Sequence, residues 1–185
     1  MSALPRARRG FAVAGVLMVV IAVLCATATV ASAKSLIATC GTERWSIKTL
    51  KDHPSLLPPQ ATTVHYLVTR PSPGSLPSTR LPFELHVYTV TAAVTYMHSE
   101  ADGDIHIVLT SGADHMIAES PNSGCTTGAS APRRAQMTAA RSSVKLCARA
   151  KVTGVAFFDF KHGQHGVAPN AIELHPILAF TCLSG

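Results

Sequence analysis

The chain has 185 residues, with 16 Lys and Arg against 10 Asp and Glu and a formal net charge of +6. Three basic residues, Arg6, Arg8 and Arg9, lie in an N-terminal segment that we expect to be removed, which leaves 13 basic residues against 10 acids and a net charge of +3. So small a surplus, with 5% aromatic residues, gives no strong case for binding to nucleic acid or anionic lipid.

The first 33 residues have the pattern of a secretory signal peptide. The three arginines precede an uncharged run over residues 11–30, and the small residues Ala31-Ser32-Ala33 follow it. A basic start, an apolar core and an A-x-A site predict export and cleavage after Ala33. The run is also long enough to span a bilayer, so an uncleaved membrane anchor is the alternative.

Four cysteines follow this segment: Cys40, Cys125, Cys147 and Cys182. An even number of cysteines in an exported chain predicts two disulfides, and sequence alone leaves three pairings open. We expect Cys40 to bond Cys182, which would tie the two ends of the domain together, and Cys125 to bond Cys147. A zinc site is the alternative, but no C-x-x-C pair supports it.

Residues 34–82 are predicted to form an N-terminal extension. RWSIKTL, around Trp45 and Ile47, is a candidate for a short strand, and TTVHYLV at 62–68 is a candidate for a short edge strand. Proline cannot donate to a ladder, so the remaining Pro-rich stretches indicate an extended loop that wraps the domain.

The main domain is predicted to span residues 83–185 and to begin with three strands. In the first, the apolar alternation changes phase between Val87 and Val90, which indicates a bulge or a sharp bend. An Asp-Gly turn precedes the second strand, in which Ile105 and Ile107 alternate with His106. The segment HMIAES is the third strand.

Two further strands follow a polar linker. Residues 132–141 are predicted to form a short helix, with Pro132 near its first turn. The fourth strand is CARAKVTGVAFFDF and the fifth is AIELHPILAF. In the fifth, Ile172 and Leu174 are expected to face inward, and Glu173 and His175 to face outward.

This order of elements resembles the OB-fold, a five-stranded Greek-key barrel. The blocks GDIHIVLTSG, MIAESP, VTGVAFFDF and IELHPIL are also similar to those of a family of small secreted bacterial proteins without an assigned function. The resemblance covers residues 83–182 and implies the fold and export. It implies no cofactor and brings no catalytic residues.

OB-fold ligands bind on the face of strands 2 and 3, between the loop after strand 1 and the loop before strand 5. The resemblance therefore predicts a binding surface where the ionisable residues of this chain gather. The candidate ligand-binding residues are Asp102, Asp104, His106, Asp159, His162 and His165.

A metal site is a narrower hypothesis about the same surface. Residues i and i+2 of a strand share a face, so Asp104 with His106, or Glu173 with His175, would offer an oxygen and an imidazole together. His162, in the Gly-rich loop, is a further candidate ligand. The commoner role of such residues is a hydrogen-bonded surface pair.

The sequence thus predicts an exported, disulfide-stabilised, mainly β protein with an OB-like barrel and a Pro-rich extension. The predicted function is a non-catalytic binding module for another extracellular protein or a small ligand. One alternative is a metal-assisted hydrolase of phosphodiesters that uses Glu100, Asp102, Asp104 and Asp159, although no arginine-containing motif accompanies these acids. The other alternative is an anchored membrane protein with the same ectodomain.

Overall fold

The computed structural model describes residues 40–185. The predicted signal peptide, its cleavage site and the alternative anchor lie outside the described residues. None of the helices within residues 40–185 is long and apolar enough to cross a membrane.

The region before the barrel contains only short elements. They are helix α1 (Trp45–Lys48), strand β1 (Gln60–Ala61), helix α2 (Val64–Val68) and a 3-10 helix (Pro82–Leu85), joined by irregular segments. The two strands predicted here are therefore wrong. In the second, Thr63 caps a helix, since its Oγ1 accepts the Tyr66 N–H, and Val64, Leu67 and Val68 bury one helical face in the core.

Five strands close into a barrel: β2 (Val87–Ser99), β3 (Ile105–Ser111), β4 (Asp114–Ser120), β5 (Cys147–Phe158) and β6 (Ile172–Ser184). They pair in the order β2-β3-β4-β6-β5, and β5 pairs back with β2. The β4–β6 pair is parallel and the others are antiparallel. Helix α3 (Ala131–Ser143) connects β4 to β5. The mainly β, five-stranded barrel and the linker helix are confirmed.

The irregularity in the first barrel strand lies later than predicted. The apparent phase change arises because Val87 and Tyr88 are buried on opposite faces of β2. Tyr88 belongs to the main core, whereas Val87 belongs to a separate cluster with Met137 of α3. The register shifts of β2 fall within residues 92–96.

Apolar side chains fill the barrel and also cover part of its outside. The interior cluster takes residues from all five strands and from α2 and α3. The outer cluster joins Leu50 of the N-terminal region to Met137 of α3, Val155 of β5 and Leu178 of β6. Residues 40–56 therefore act as a cover over the outer surface of the barrel, and we call them the cover segment.

Two disulfides form as predicted, but the predicted pairing is wrong. Cys40 bonds Cys125 and Cys147 bonds Cys182. The second pair joins the antiparallel neighbours β5 and β6, with 5.9 Å between the Cα atoms. The first ties the cover segment to the loop before α3, across 85 residues of sequence. The start of the cover segment lies against this loop and not against the end of β6.

A buried ion pair fixes the cover segment to the barrel. Nη1 and Nη2 of Arg44 donate to Oε1 and Oε2 of Glu84, each at 2.7 Å, and the two side chains are 3% and 0% exposed. Arg44 also donates to the carbonyl oxygens of Phe158 and Pro77, and Glu84 accepts the Phe158 N–H. One pair therefore joins the cover segment, the Pro-rich loop and the end of β5.

Replacing Arg44 with methionine should lower the free energy of unfolding by about 3–5 kcal/mol, because it leaves the Glu84 carboxylate buried without its cation. Urea denaturation measures the change. The double variant Arg44→Met/Glu84→Gln should cost less free energy than the sum of the two single variants, because it leaves no buried charge unpaired. An exposed control, Arg149→Met on β5, should stay within about 0.5 kcal/mol of the parent. An equal loss in Arg44→Met and Arg149→Met would contradict the role of the pair.

Candidate functional site

A cleft of about 370 Å³ opens between the cover segment, the β2–β3 loop and the β5–β6 loop. These two loops flank the surface on which the OB-fold resemblance placed a ligand. Two basic residues and five acids are its ionisable lining residues: Lys48, His162, Glu43, Glu100, Asp102, Glu119 and Asp159.

Both basic side chains of the cleft are engaged with acids. At the rim, Nε2 of His162 lies 2.8 Å from Oε2 of Glu43, and both side chains are about half exposed. At the floor, Nζ of Lys48 donates to Oδ2 of Asp159 at 2.6 Å, and both groups are largely buried. Burial opposes the charge on Lys48, but Asp159, Glu173 and Glu119 together outweigh it, so the pKa of Lys48 lies above its ordinary value.

Glu119 connects the cleft to a layer of polar side chains behind the floor. Its Oε1 lies 2.9 Å from Nδ1 of His106, while Nε2 of His106 donates to the carbonyl oxygen of His165 at 2.9 Å. The buried ring of His106 therefore joins β4 to the β5–β6 loop. Burial disfavours the imidazolium, but Glu119, the carbonyl of His165 and Glu173 together outweigh it and raise the pKa of His106.

His175 lies at the centre of this layer, with 0% of its side chain exposed. Its Nδ1 lies 3.1 Å from Oε2 of Glu119 and 3.9 Å from Oε2 of Glu173, and its Nε2 lies 3.7 Å from Oδ2 of Asp104. These contacts lack hydrogen-bond geometry, so both ring nitrogens are without a hydrogen-bond partner among the described residues. Three carboxylates thus surround one fully buried imidazole.

Strand register brings these residues together. The two-residue turn between β3 and β4, residues 112–113, places His106 directly opposite Glu119. Alternation along β6 turns Glu173 and His175 to the outer face, as predicted, but the expected exposure is wrong. The cover segment buries this face: Lys48 contributes to the pKa of Glu173, and the ring of Phe157, 5.7 Å from His175, lies beneath Arg44.

Burial and mutual charge set the protonation of this layer. Burial raises the pKa of Asp104 to about 6 and that of Glu173 to about 7. Burial opposes a proton on His175, but Glu119 and Glu173 outweigh it and raise its pKa to about 9. Burial would also raise the pKa of Glu119, yet His106 and His175 hold it well below its ordinary range. An imidazolium between carboxylates therefore stabilises the layer at neutral pH.

The ligand-binding candidates divide into three groups. Asp102, Asp159 and His162 line the cleft, whereas Asp104 and His106 lie buried behind it. His165 contributes a main-chain carbonyl, and its ring packs 4.5 Å from the ring of Tyr96. The next residue, Gly166, has φ of 82°, and a Cβ there would lie 2.3 Å from Val108, so only glycine lets the loop approach β3 so closely.

Sequence reasoning missed Glu119, Lys48 and Glu43. The signal for Glu119 was present, because a two-residue turn after Ser111 fixes the hairpin register and so pairs position 119 with His106. No comparable signal exists for Lys48 and Glu43, since tertiary contacts alone bring the cover segment to the cleft.

The candidate metal ligands fall into two groups of three side chains, each with ligand atoms within 4.8 Å of one another. His162 joins Glu43 and Asp159 at the cleft rim. Asp104 and His175 join Glu119 behind the floor. The other two candidates, His106 and Glu173, contact members of the second group.

Comparisons with known proteins do not assign this chain to a family. No protein-family model matches the sequence, and no curated protein matches it. A solved protein assigned as an aspartyl-tRNA synthetase from Leishmania major aligns with 68% of this chain at 10% identity and a TM-score of 0.43. An asparaginyl-tRNA synthetase from Entamoeba histolytica aligns with 69% at 8% identity and a TM-score of 0.40.

This chain spans 21% and 24% of those two proteins. Both TM-scores lie below 0.5, so the likeness indicates nothing about function. The barrel is established by the strand pairings themselves. The resemblance to a family of small secreted bacterial proteins stays a prediction.

The protein should unfold more easily at pH 9 than at pH 5. Asp104, Glu173 and His175 have pKa values raised to about 6, about 7 and about 9. Each therefore contributes stability that is complete below its unfolded pKa and is lost as pH rises through its folded pKa. The lowered pKa of Glu119 has the opposite sign, but its contribution is complete above its ordinary value of 4.5. We expect the Tm to fall by at least about 4 °C between pH 5 and pH 9 when it is measured in EDTA, which removes metal ions.

Thermal denaturation followed by circular dichroism measures this change. Glu173→Gln removes one of the three titrating groups, so the fall between pH 5 and pH 8 should become shallower. Asp114→Asn makes the same chemical change away from the buried layer and should leave the fall intact. A Tm that is equal or higher at pH 9 would contradict the buried imidazolium.

Proposed function

We propose that the protein is an exported, non-catalytic binding module that holds a positively charged group of an extracellular partner in the acidic cleft. The observation that carries this proposal is the distribution of acids. The chain has 10 Asp and Glu, and seven of them line the cleft or lie directly behind it: Glu43, Glu100, Asp102, Asp104, Glu119, Asp159 and Glu173.

The charge of the cleft favours a cation. Lys48 and His162 are already paired with Asp159 and Glu43. Asp102 accepts the main-chain N–H of Asp104 and pairs with no cation in the described part of the chain. A chain of positive net charge that places most of its carboxylates around one cleft creates a local negative potential there, which attracts cationic groups.

The size of the cleft suits one extended basic side chain or a small cationic ligand. Its volume of about 370 Å³ lies at the lower end of the range for small-molecule pockets. We favour a lysine or arginine side chain of a protein partner, because the open rim between two loops admits a group that remains attached to a larger molecule.

The hydrolase alternative fits this geometry less well. Phosphodiesters are anionic, and the carboxylates of the cleft repel them. No arginine from the described residues lines the cleft, and its two basic residues, Lys48 and His162, are paired with Asp159 and Glu43. No free cationic side chain of this lining would therefore stabilise the charge that develops on a transferring phosphoryl group. Nucleic acid is disfavoured for the same reason.

Export is supported by the N-terminal pattern and by the cysteines. The arginine-rich start, the uncharged run and the A-x-A site are typical of a cleaved signal. The two disulfides belong to an oxidising compartment. The anchored form remains the alternative, and N-terminal sequencing of the protein recovered from the culture medium distinguishes the two.

A short peptide with two arginines, Gly-Arg-Gly-Arg-Gly, should bind the purified protein in EDTA at low salt, whereas its glutamate counterpart should not. Fluorescence anisotropy measures both. Glu43→Gln/Glu100→Gln should weaken binding about fivefold, since two partly exposed ion pairs contribute roughly 0.4–2 kcal/mol together. Binding should also weaken in 0.5 M salt.

The matched control is Ala113→Lys/Asp114→Asn, which changes the net charge equally but lies at the β3–β4 turn, outside the cleft. It should leave the affinity within about twofold of the parent. Equal weakening in both double variants would mean that the net charge, and not the cleft, attracts the peptide. Tight binding of a single-stranded oligonucleotide in place of the arginine peptide would overturn the proposal.

A further inference from the structure

The layer behind the cleft floor contains polar atoms that no protein group satisfies. Both ring nitrogens of His175 and Oε2 of Glu173 are buried without a hydrogen-bond partner among the described residues. Such groups normally have a partner, because a buried polar atom without one costs about 1–3 kcal/mol. His175 is 0% exposed and its ring points at carboxylates on both sides.

We propose that Asp104, Glu119 and His175 bind a divalent transition-metal ion, with Zn²⁺ as the best fit. The three side chains come from the residue immediately before β3, from β4 and from β6. One ligand atom of each lies within 4.8 Å of the others. Ligands of a tetrahedral zinc ion lie about 3.3 Å apart, so binding would draw these side chains together by at most about 1.5 Å.

The donor set selects the class of metal. Imidazole nitrogen suits zinc and other transition metals, whereas calcium and magnesium prefer oxygen ligands alone. Two carboxylates with one imidazole form a three-ligand set, which leaves a fourth position free. The ion would displace the proton that His175 carries in the metal-free protein, and its charge would compensate the carboxylates around this histidine.

The surroundings of the three ligands match those of known metal sites. When Nε2 of His175 binds the ion, Nδ1 still faces Glu173, which is not one of the three ligands, and a carboxylate in that position orients metal-bound histidines. His106 lies 2.9 Å from Oε1 of Glu119 and positions that side chain. The main-chain N–H of Asn122 donates to Oδ1 of Asp104 at 2.8 Å and leaves Oδ2 toward His175.

An ion can reach this site through the cleft. Glu119 lines the cleft, and 13% of its side chain is exposed. Asp104 and His175 do not line it and are buried. Glu119 therefore stands between solvent and the other two ligands, and it would be the first to meet an incoming cation.

Zinc titration of the purified, oxidised full-length protein tests the proposal. After dialysis against EDTA and its removal, isothermal titration calorimetry with ZnCl₂ should show one ion per chain, and zinc should raise the Tm. His175→Gln and Asp104→Asn should each weaken zinc binding at least about 100-fold. Asp104→Asn keeps the oxygen that accepts the Asn122 N–H, so it separates metal binding from folding if His175→Gln misfolds.

Two further measurements decide between this site and other places for zinc. His162→Gln removes the histidine of the rim group and should leave zinc affinity within about threefold of the parent. X-ray absorption at the zinc edge should show nitrogen and oxygen ligands without sulfur. No binding at 1 mM ZnCl₂, loss of binding in His162→Gln alone, or sulfur ligands would overturn the proposal.

The zinc site does not depend on the cationic ligand proposed for the cleft. Glu43→Gln/Glu100→Gln changes the rim and not the three ligands, so it should weaken the arginine peptide and leave zinc binding intact. A failed zinc titration would therefore leave the binding-module proposal standing, and a failed peptide titration would leave the metal site standing.

Discussion

The site depends on the bidentate ion pair between Arg44 and Glu84, because this pair holds the cover segment on the barrel. If the cover segment detached from the barrel, its Lys48 would leave Asp159, and the outward side chains of β6 would face water. The guanidinium also lies 4.8 Å over the ring of Phe157, which in turn packs against His175. Together with the Cys40–Cys125 disulfide and the apolar packing of Leu50, this ion pair turns the polar outer face of the barrel into an enclosed layer of charge.

Charged surface residues usually contribute both to solubility and to ligand binding, but in this chain most acids surround the cleft. Solubility of small domains normally comes from mixed charges spread over the surface. Here seven of the ten acids lie in the cleft or directly behind it, and the other three are Asp52, Glu84 and Asp114. Concentrating like charges costs free energy in the folded state, so the arrangement is explained better by ligand binding than by stability.

The barrel could be predicted from sequence and the enclosed layer could not. Alternation along residues 105–109 and 172–175 identified the strands and their faces, because side-chain direction in a strand is a local property. The burial of Glu173 and His175 depends on Lys48 and Arg44, more than 100 residues earlier in the chain, and no local pattern records such a contact. The disulfides show the same limit: their number follows from the cysteine count, but their pairing depends on where the cover segment lies.

The bond between Cys40 and Cys125 has a consequence for how the site responds to its environment. Cys40 forms part of the cleft lining, and its partner lies in the loop before α3. Reduction would remove this covalent tie, while the five barrel strands would keep their hydrogen-bonded pairing. The cover segment has one helix of four residues, so its order comes from its contacts rather than from its own backbone. The integrity of the cleft is therefore coupled to the redox potential of the surroundings much more closely than the integrity of the barrel.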